Sequence, residues 1–126
     1  MSISFRLVSA IEFQKALTDA AEKQSHIEKN VEMYSLETLN QYRTYLSVNR
    51  LSGYAIKADG ELTAVFSGVK GRGHAILVDA IKNGAFHLNA FEGFLTNLYM
   101  RYGFKEYRRE SNWDINGPNV IYMRLG

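Results

Sequence analysis

The sequence predicts an α/β or α+β protein, a sheet with helices packed on it. Three observations carry that expectation. Several short runs alternate apolar and polar residues with the period of a half-buried strand. Two stretches, Ser9 to Glu12 and Ser35 to Thr38, have the capping-box pattern that opens helices. The run Glu61–Phe66 leads through a glycine-rich basic turn into a helix-like run, Ala75–Lys82.

In chain order, Ser2–Val8 sets apolar Ile3, Phe5 and Leu7 against polar Ser4 and Arg6, a strand. Ser9 caps a helix that runs to about Lys23. Its broad apolar face holds Ile11, Phe13, Ala16, Leu17, Ala20 and Ala21. Residues 24–33 are charged and fit either an extension of that helix or a separate segment. Ser35 opens a short helix through Tyr42. Thr44–Val48, Gly53–Lys57 and Glu61–Phe66 read as strands, and Asp59-Gly60 makes a hairpin turn between the last two. Ile76, Leu77, Ala80 and Ile81 have helical spacing, and Asn83-Gly84 ends that helix. Phe86–Phe91 is a strand. Phe94–Tyr102 is a helix, with Leu95, Leu98, Tyr99 and Tyr102 on one side and Gly103 after it. Phe104–Arg109 and Val120–Leu125 are strands around a polar loop that holds Trp113 and Pro118.

Size and composition narrow the function. A chain of 126 residues with 46% hydrophobic residues suits one domain spanning 1–126. Cysteine is absent, which removes disulfide and thiolate chemistry and fits a reducing compartment. No apolar run reaches bilayer length, so no membrane partner is expected. Met1–Ala10 lacks a secretion pattern, which makes the expected location cytoplasmic. The net charge of +2 is modest. Its densest basic group, Arg101, Lys105, Arg108 and Arg109, is interrupted by Glu106 and Glu110, so nucleic acid is not the expected partner. The three histidines have no metal-ligand spacing, and no metal is expected.

The stretch Ser67-Gly68-Val69-Lys70-Gly71-Arg72-Gly73-His74 carries the most chemistry. Glycines let a backbone approach a ligand closely. The first turn of a helix offers unpaired N–H groups at the positive end of its dipole. Arg72 can pair with a phosphate bidentately, while Lys70 acts as a point charge. A phosphate-bearing ligand follows. The bland alternative is that the glycines only shape the turn and the two cations are solvated.

Three ordered features resemble the GNAT acetyltransferase superfamily. They are the Lys70-Gly71-Arg72-Gly73-His74 loop, the following strand Phe86-His87-Leu88-Asn89-Ala90, and the tyrosine-bearing Leu98-Tyr99-Met100-Arg101-Tyr102-Gly103-Phe104. The likeness spans Gly53 to Leu125. Trp113-Asp114 and Gly117-Pro118, with the compact length, also resemble small acetyltransferase-like proteins of bacteriophages. One departure is that Gly68 stands where the family's loop carries Gln or Arg.

The resemblance implies a GNAT-like mixed, mostly antiparallel split sheet with helices on both faces. Acetyl-CoA would be the cosubstrate and would sit in the split. Its pyrophosphate would rest on the main chain of Val69, Lys70, Gly71, Arg72, Gly73 and His74. Val65 and Phe66 would hold the pantetheine arm through their backbone. Tyr99 matches the family's proton donor to the departing thiolate. Glu92, after the strand ending at Ala90, is the candidate to receive a proton from the amine or to pair with a cationic acceptor. Against these roles, Tyr99 also suits core packing, and Glu92 suits a solvated acid beside the next helix.

The function that follows is transfer of an acetyl group to an amine of a small molecule or protein. Two alternatives stay open. One is a catalytically degenerate GNAT-like phage protein that binds and modulates a host protein. The other is a small nucleic-acid binder using Arg101–Arg109 and Tyr107, whose affinity would fall steeply with salt. Aromatics of the C-terminal half suit either a core or a homodimer interface.

Overall fold

The computed structural model describes residues 4–24, 33–69, 71–112 and 117–126. His26, Lys70, Trp113 and Asp114 lie outside the described residues. The chain divides into two compact units, Met1–Ala85 and Phe86–Gly126.

The first unit runs β1 (Phe5–Val8), α1 (Ala10–Lys23), α2 (Leu36–Leu39), β2 (Arg43–Ser47), β3 (Ser52–Ile56), β4 (Leu62–Ser67) and α3 (Gly73–Lys82). Its strands form an antiparallel sheet in the order β1-β2-β3-β4. Ser9 caps α1 as expected, its hydroxyl accepting from the Glu12 amide at 3.2 Å. Ser35 does the same for α2 through Thr38, also at 3.2 Å. That helix stops at Leu39, short of the expected Tyr42. The β3–β4 hairpin closes through Lys57 N to Glu61 O at 2.9 Å, with Gly60 at φ 90°.

Strand alternation sorts the buried residues of this sheet onto two faces. Leu46, Ala55, Ala64 and Phe66 meet Phe13, Ala16, Leu17 and Ala20 of α1 in one hydrophobic core. Phe13 stands edge-on to Phe66, with ring centres 5.7 Å apart. Tyr45 and Tyr54 pair across β2 and β3 on the opposite face, their rings stacked 4.9 Å apart. Tyr54 reaches α3 there. Helices thus cover both faces of this sheet. Ile11 departs from its expected place on the buried side of α1: it is 66% exposed. The helical stripe is narrower than the run of apolar residues in the sequence.

The second unit runs β5 (His87–Phe91), α4 (Phe94–Arg101), β6 (Phe104–Glu110) and β7 (Val120–Leu125). Its antiparallel sheet has the order β5-β7-β6. Leu98 and Tyr99 of α4 are buried, as are Leu88, Phe104, Ile121 and Met123 of the strands. Leu95 is exposed, so the packed face of α4 is also narrower than the sequence stripe. The edge strand β6 is exposed beyond Phe104 and carries Lys105, Glu106, Arg108 and Arg109. Such charges discourage edge-to-edge pairing. No described helix is long and apolar enough to cross a membrane.

Candidate functional site

β4 is an edge strand, and it is broken by a bulge. Ala55 pairs with Thr63 and Gly53 with Phe66, so Tyr54 faces two residues, Ala64 and Val65. Ala64 has φ 51°, left-handed although it is not glycine. That conformation costs about 1–2 kcal/mol and persists only where the surroundings impose it. The surroundings are tight. Gly53 lies so close to its neighbours that a Cβ there would sit 2.7 Å from Tyr45 O and 2.8 Å from Phe66 Cε1. A bulge leaves main-chain groups outside the ladder, and here they lie on an edge strand. Val65 is half-buried, while Phe66 is buried in the core and can offer a ligand only its backbone.

The loop after β4 divides into an occupied half and an open half. Gly68 N donates to Leu51 O at 2.7 Å, and Gly68 O accepts from Gln24 Nε2 at 2.7 Å. The amide of Val69, expected to face a ligand, donates instead to Ser67 Oγ at 3.1 Å. Ser67 Oγ donates in turn to Val69 O at 2.6 Å. These bonds anchor the first half to Leu51 just before β3, to β4 and to the cap residue of α1, Gln24. Gly71 then turns the chain at φ 78°, and a Cβ built on it would meet nothing within 4 Å. Only glycine adopts this turn without strain.

Arg72 occupies the cap position of α3 and makes no side-chain cap bond. The first i→i−4 bond of the helix joins Ile76 N to Arg72 O at 3.0 Å. The amides of Gly73 and Ala75 come before that bond and meet no acceptor among the described residues. Arg72 forms no ion pair among the described residues. His74 is exposed in the same first turn. Gly71, Arg72, Gly73 and His74 are therefore brought together at an uncapped helix start, which favours an anion. Lys70 lies outside the described residues.

Tyr99 and Glu92, the expected catalytic pair, belong to the second unit. Tyr99 is 7% exposed, its ring 6.1 Å from that of Phe104. Burial pushes its phenol up to about 12, so the hydroxyl stays protonated at neutral pH, as a proton donor requires. Glu92 is exposed and pairs with Arg109, whose Nη2 lies 3.1 Å from Glu92 Oε2 and 2.9 Å from Glu106 Oε1. Glu92, Thr96, Asn97, Glu106 and Arg109 line a shallow pocket. The Glu92 carboxylate is thus engaged by the Arg109 guanidinium, which Glu106 shares.

One cluster was not signalled by the sequence. Tyr54 is fully buried on β3, its hydroxyl bonded to the Asp79 carboxylate of α3. Asn83 Nδ2 donates to Tyr54 Oη at 2.9 Å, to Asp79 Oδ2 at 3.1 Å and to Asp79 O at 3.1 Å. Burial and the neighbouring carboxylate push the Tyr54 phenol far above its ordinary value. The i,i+4 spacing of Asp79 and Asn83 was visible in the sequence. Its buried partner on a distant strand was not. No group of three or more potential metal ligands occurs among the described residues.

Raised pKa values give a titration prediction. A tyrosine that keeps its proton longer in the folded state contributes stability that is complete below the ordinary value of 10.0. That contribution is lost as pH rises from there through the folded value. Of the eight tyrosines, Tyr54 and Tyr99 should ionise late. Near-ultraviolet absorbance should show two phenols titrating together with unfolding. The melting temperature should fall above about pH 10. Eight phenols titrating with ordinary values would contradict these environments.

Among the described residues, the first unit thus carries an edge-strand bulge followed by a glycine turn and a helix start without a side-chain cap. No protein-family model and no curated protein matches the sequence. Solved structures do match. An acyl-CoA N-acyltransferase from Pseudomonas aeruginosa aligns with a TM-score of 0.68 at 17% identity, covering 99% of this chain and 100% of that one. A chain of the NatC complex bound to Gag peptide and CoA aligns at 0.63 and 17% identity, over 99% and 98% of the two chains. A chimera of the Vibrio cholerae spermidine N-acetyltransferase SpeG and hSSAT aligns at 0.61 and 11% identity, over 97% and 94%. At these identities the likeness establishes the fold.

Proposed function

We propose that this chain is an acetyl-CoA-dependent N-acetyltransferase that moves an acetyl group to an amine of a small molecule or protein. The observation that carries this reading is the Ala64–Val65 bulge on edge strand β4, with the start of α3, which lacks a side-chain cap, later in the same unit. A pantetheine arm is itself built of amides, and unpaired strand backbone can hydrogen-bond it. The amides of Gly73, His74 and Ala75, with the Arg72 guanidinium and the Lys70 ammonium, suit its diphosphate. GNAT-fold neighbours include proteins solved with CoA.

In this reading the acceptor nitrogen bonds to the acetyl carbonyl carbon as the carbon–sulfur bond breaks. Tyr99 gives its phenolic proton to the departing thiolate, and the amine proton leaves to water. A main-chain N–H freed by the bulge is suited to stabilise the carbonyl oxygen as charge builds on it. Positioning the amine against the thioester supplies most of the acceleration.

Isothermal titration with acetyl-CoA, followed by turnover across an amine panel, tests the proposal. Absence of binding removes it. Binding without turnover on every amine favours the alternative, a phage-derived GNAT-like protein that binds and modulates a host protein. A bulky residue at the helix start should block close approach of a diphosphate. Gly73→Phe is therefore expected to weaken acetyl-CoA by at least about tenfold, while circular dichroism shows an unchanged fold. Unchanged affinity would move the diphosphate away from this turn.

A further inference from the structure

We propose that the sheet face of the second unit turned away from α4 is a docking surface for a single-stranded nucleic acid. Strand alternation sorts the residues of β6 and β7 onto two sides. Ile121 and Met123 share one side with Glu106 and Arg109, and residues of α4 meet them there in the shallow pocket. Arg109 binds Glu106 on that side at 2.9 Å. The other side carries Lys105, Arg108 and Arg124, because the register sets Lys105 opposite Arg124 and Arg108 opposite Tyr122. The acids that interrupt the basic run in the sequence therefore do not neutralise this face. Glu106 is turned away from it, while Glu110 is held by Arg108 and accepts from Tyr122 Oη at 3.2 Å.

Lys105 and Arg124 are left over. Both are exposed, and neither forms an ion pair among the described residues. They stand directly opposite each other on β6 and β7, and His87 of β5 is the other neighbour of Arg124. Like charges placed directly opposite are destabilising, and an anion between them removes the repulsion. Protection of an edge strand accounts for Lys105 but not for Arg124, which lies on the central strand β7. Aromatic rings accompany these cations. The Arg124 guanidinium lies over the Tyr107 ring, 5.0 Å from its centre. Tyr107 is 47% exposed, and Phe91, which pairs with Val120 on the same side, is 50% exposed. A single strand needs both parts, cations for its phosphates and open rings for its bases. A duplex keeps its bases stacked, and an acidic peptide would use the cations and leave the rings idle.

Fluorescence anisotropy with the intact protein and a labelled oligothymidylate of about ten nucleotides tests the surface. Affinity should fall with salt, with a log–log slope of about −1.4 for two neutralised phosphates. Lys105→Gln combined with Arg124→Gln should lower affinity at least about tenfold and flatten the slope. Phe91→Leu keeps an apolar strand residue but removes the ring. It should lower affinity at least about fivefold with the slope kept. Arg101→Gln removes a charge from an exposed position of α4 and should change affinity by less than about twofold. All four positions are exposed, so circular dichroism should show the wild-type fold. No binding by the wild type, or equal losses in the Arg101 variant and the double variant, overturns the proposal. An oligoglutamate peptide that binds as tightly, with no loss in Phe91→Leu, would make this a protein-binding face instead. Self-association abolished by the double variant would assign the face to a second copy. None of these results depends on whether the chain binds acetyl-CoA.

Discussion

Tyr99→Phe is expected to lower kcat by about a hundredfold or more, the usual contribution of a positioned general acid. Acetyl-CoA affinity should stay within about twofold, because the lost group acts on the leaving thiolate and not on the bound ground state. The substitution is clean. The Tyr99 hydroxyl makes no hydrogen bond among the described residues, and burial alone raises its pKa. Phenylalanine keeps the ring packed near Phe104, so the melting temperature should hold or rise slightly. Steady-state kinetics on the best amine, with calorimetry on the same preparation, decide the matter. Full activity would give the proton to water or another group. Equal losses in kcat and in affinity would make Tyr99 a structural residue.

Phe13→Ala is expected to destabilise the fold by about 3–5 kcal/mol, the range for deleting a buried aromatic ring. Phe13 is fully buried and abuts Phe66 of β4 from α1. Typical domains have only ~5–15 kcal/mol of stability in total, so this one ring carries a large share. Ile11, two residues earlier on the same helix, is 66% exposed. Ile11→Ala should change stability by less than about 0.5 kcal/mol. Denaturant melts of the two variants check the contrast. Equal effects would mean that α1 packs by a different face.

The helix starts were legible because they are local. Ser9 and Ser35 each cap their helix through an amide three residues on, and both the hydroxyl and its spacing are written in the chain. The strands of both sheets, the Asp59-Gly60 hairpin and the Gly71 turn were legible for the same reason. Periodicity overstated burial at Ile11 and Leu95, since it marks apolar residues without knowing how wide a face its partner covers. Within the loop, residue types pointed to an anion site. They did not show that Ser67 and Leu51 already take the amides of Val69 and Gly68.

By itself, the sequence determined the order of elements, the helix caps and the glycine-rich basic turn that opens α3. Each depends on residues within a few positions of one another. Tertiary structure alone decided the left-handed Ala64 and the close approach at Gly53. It also decided the Tyr54–Asp79–Asn83 cluster and the ion pair of Glu92 with Arg109. Most of these contacts join residues well separated in the chain, up to 29 positions for Tyr54 and Asn83. Strand register and buried hydrogen bonds choose such partners only once the chain has folded.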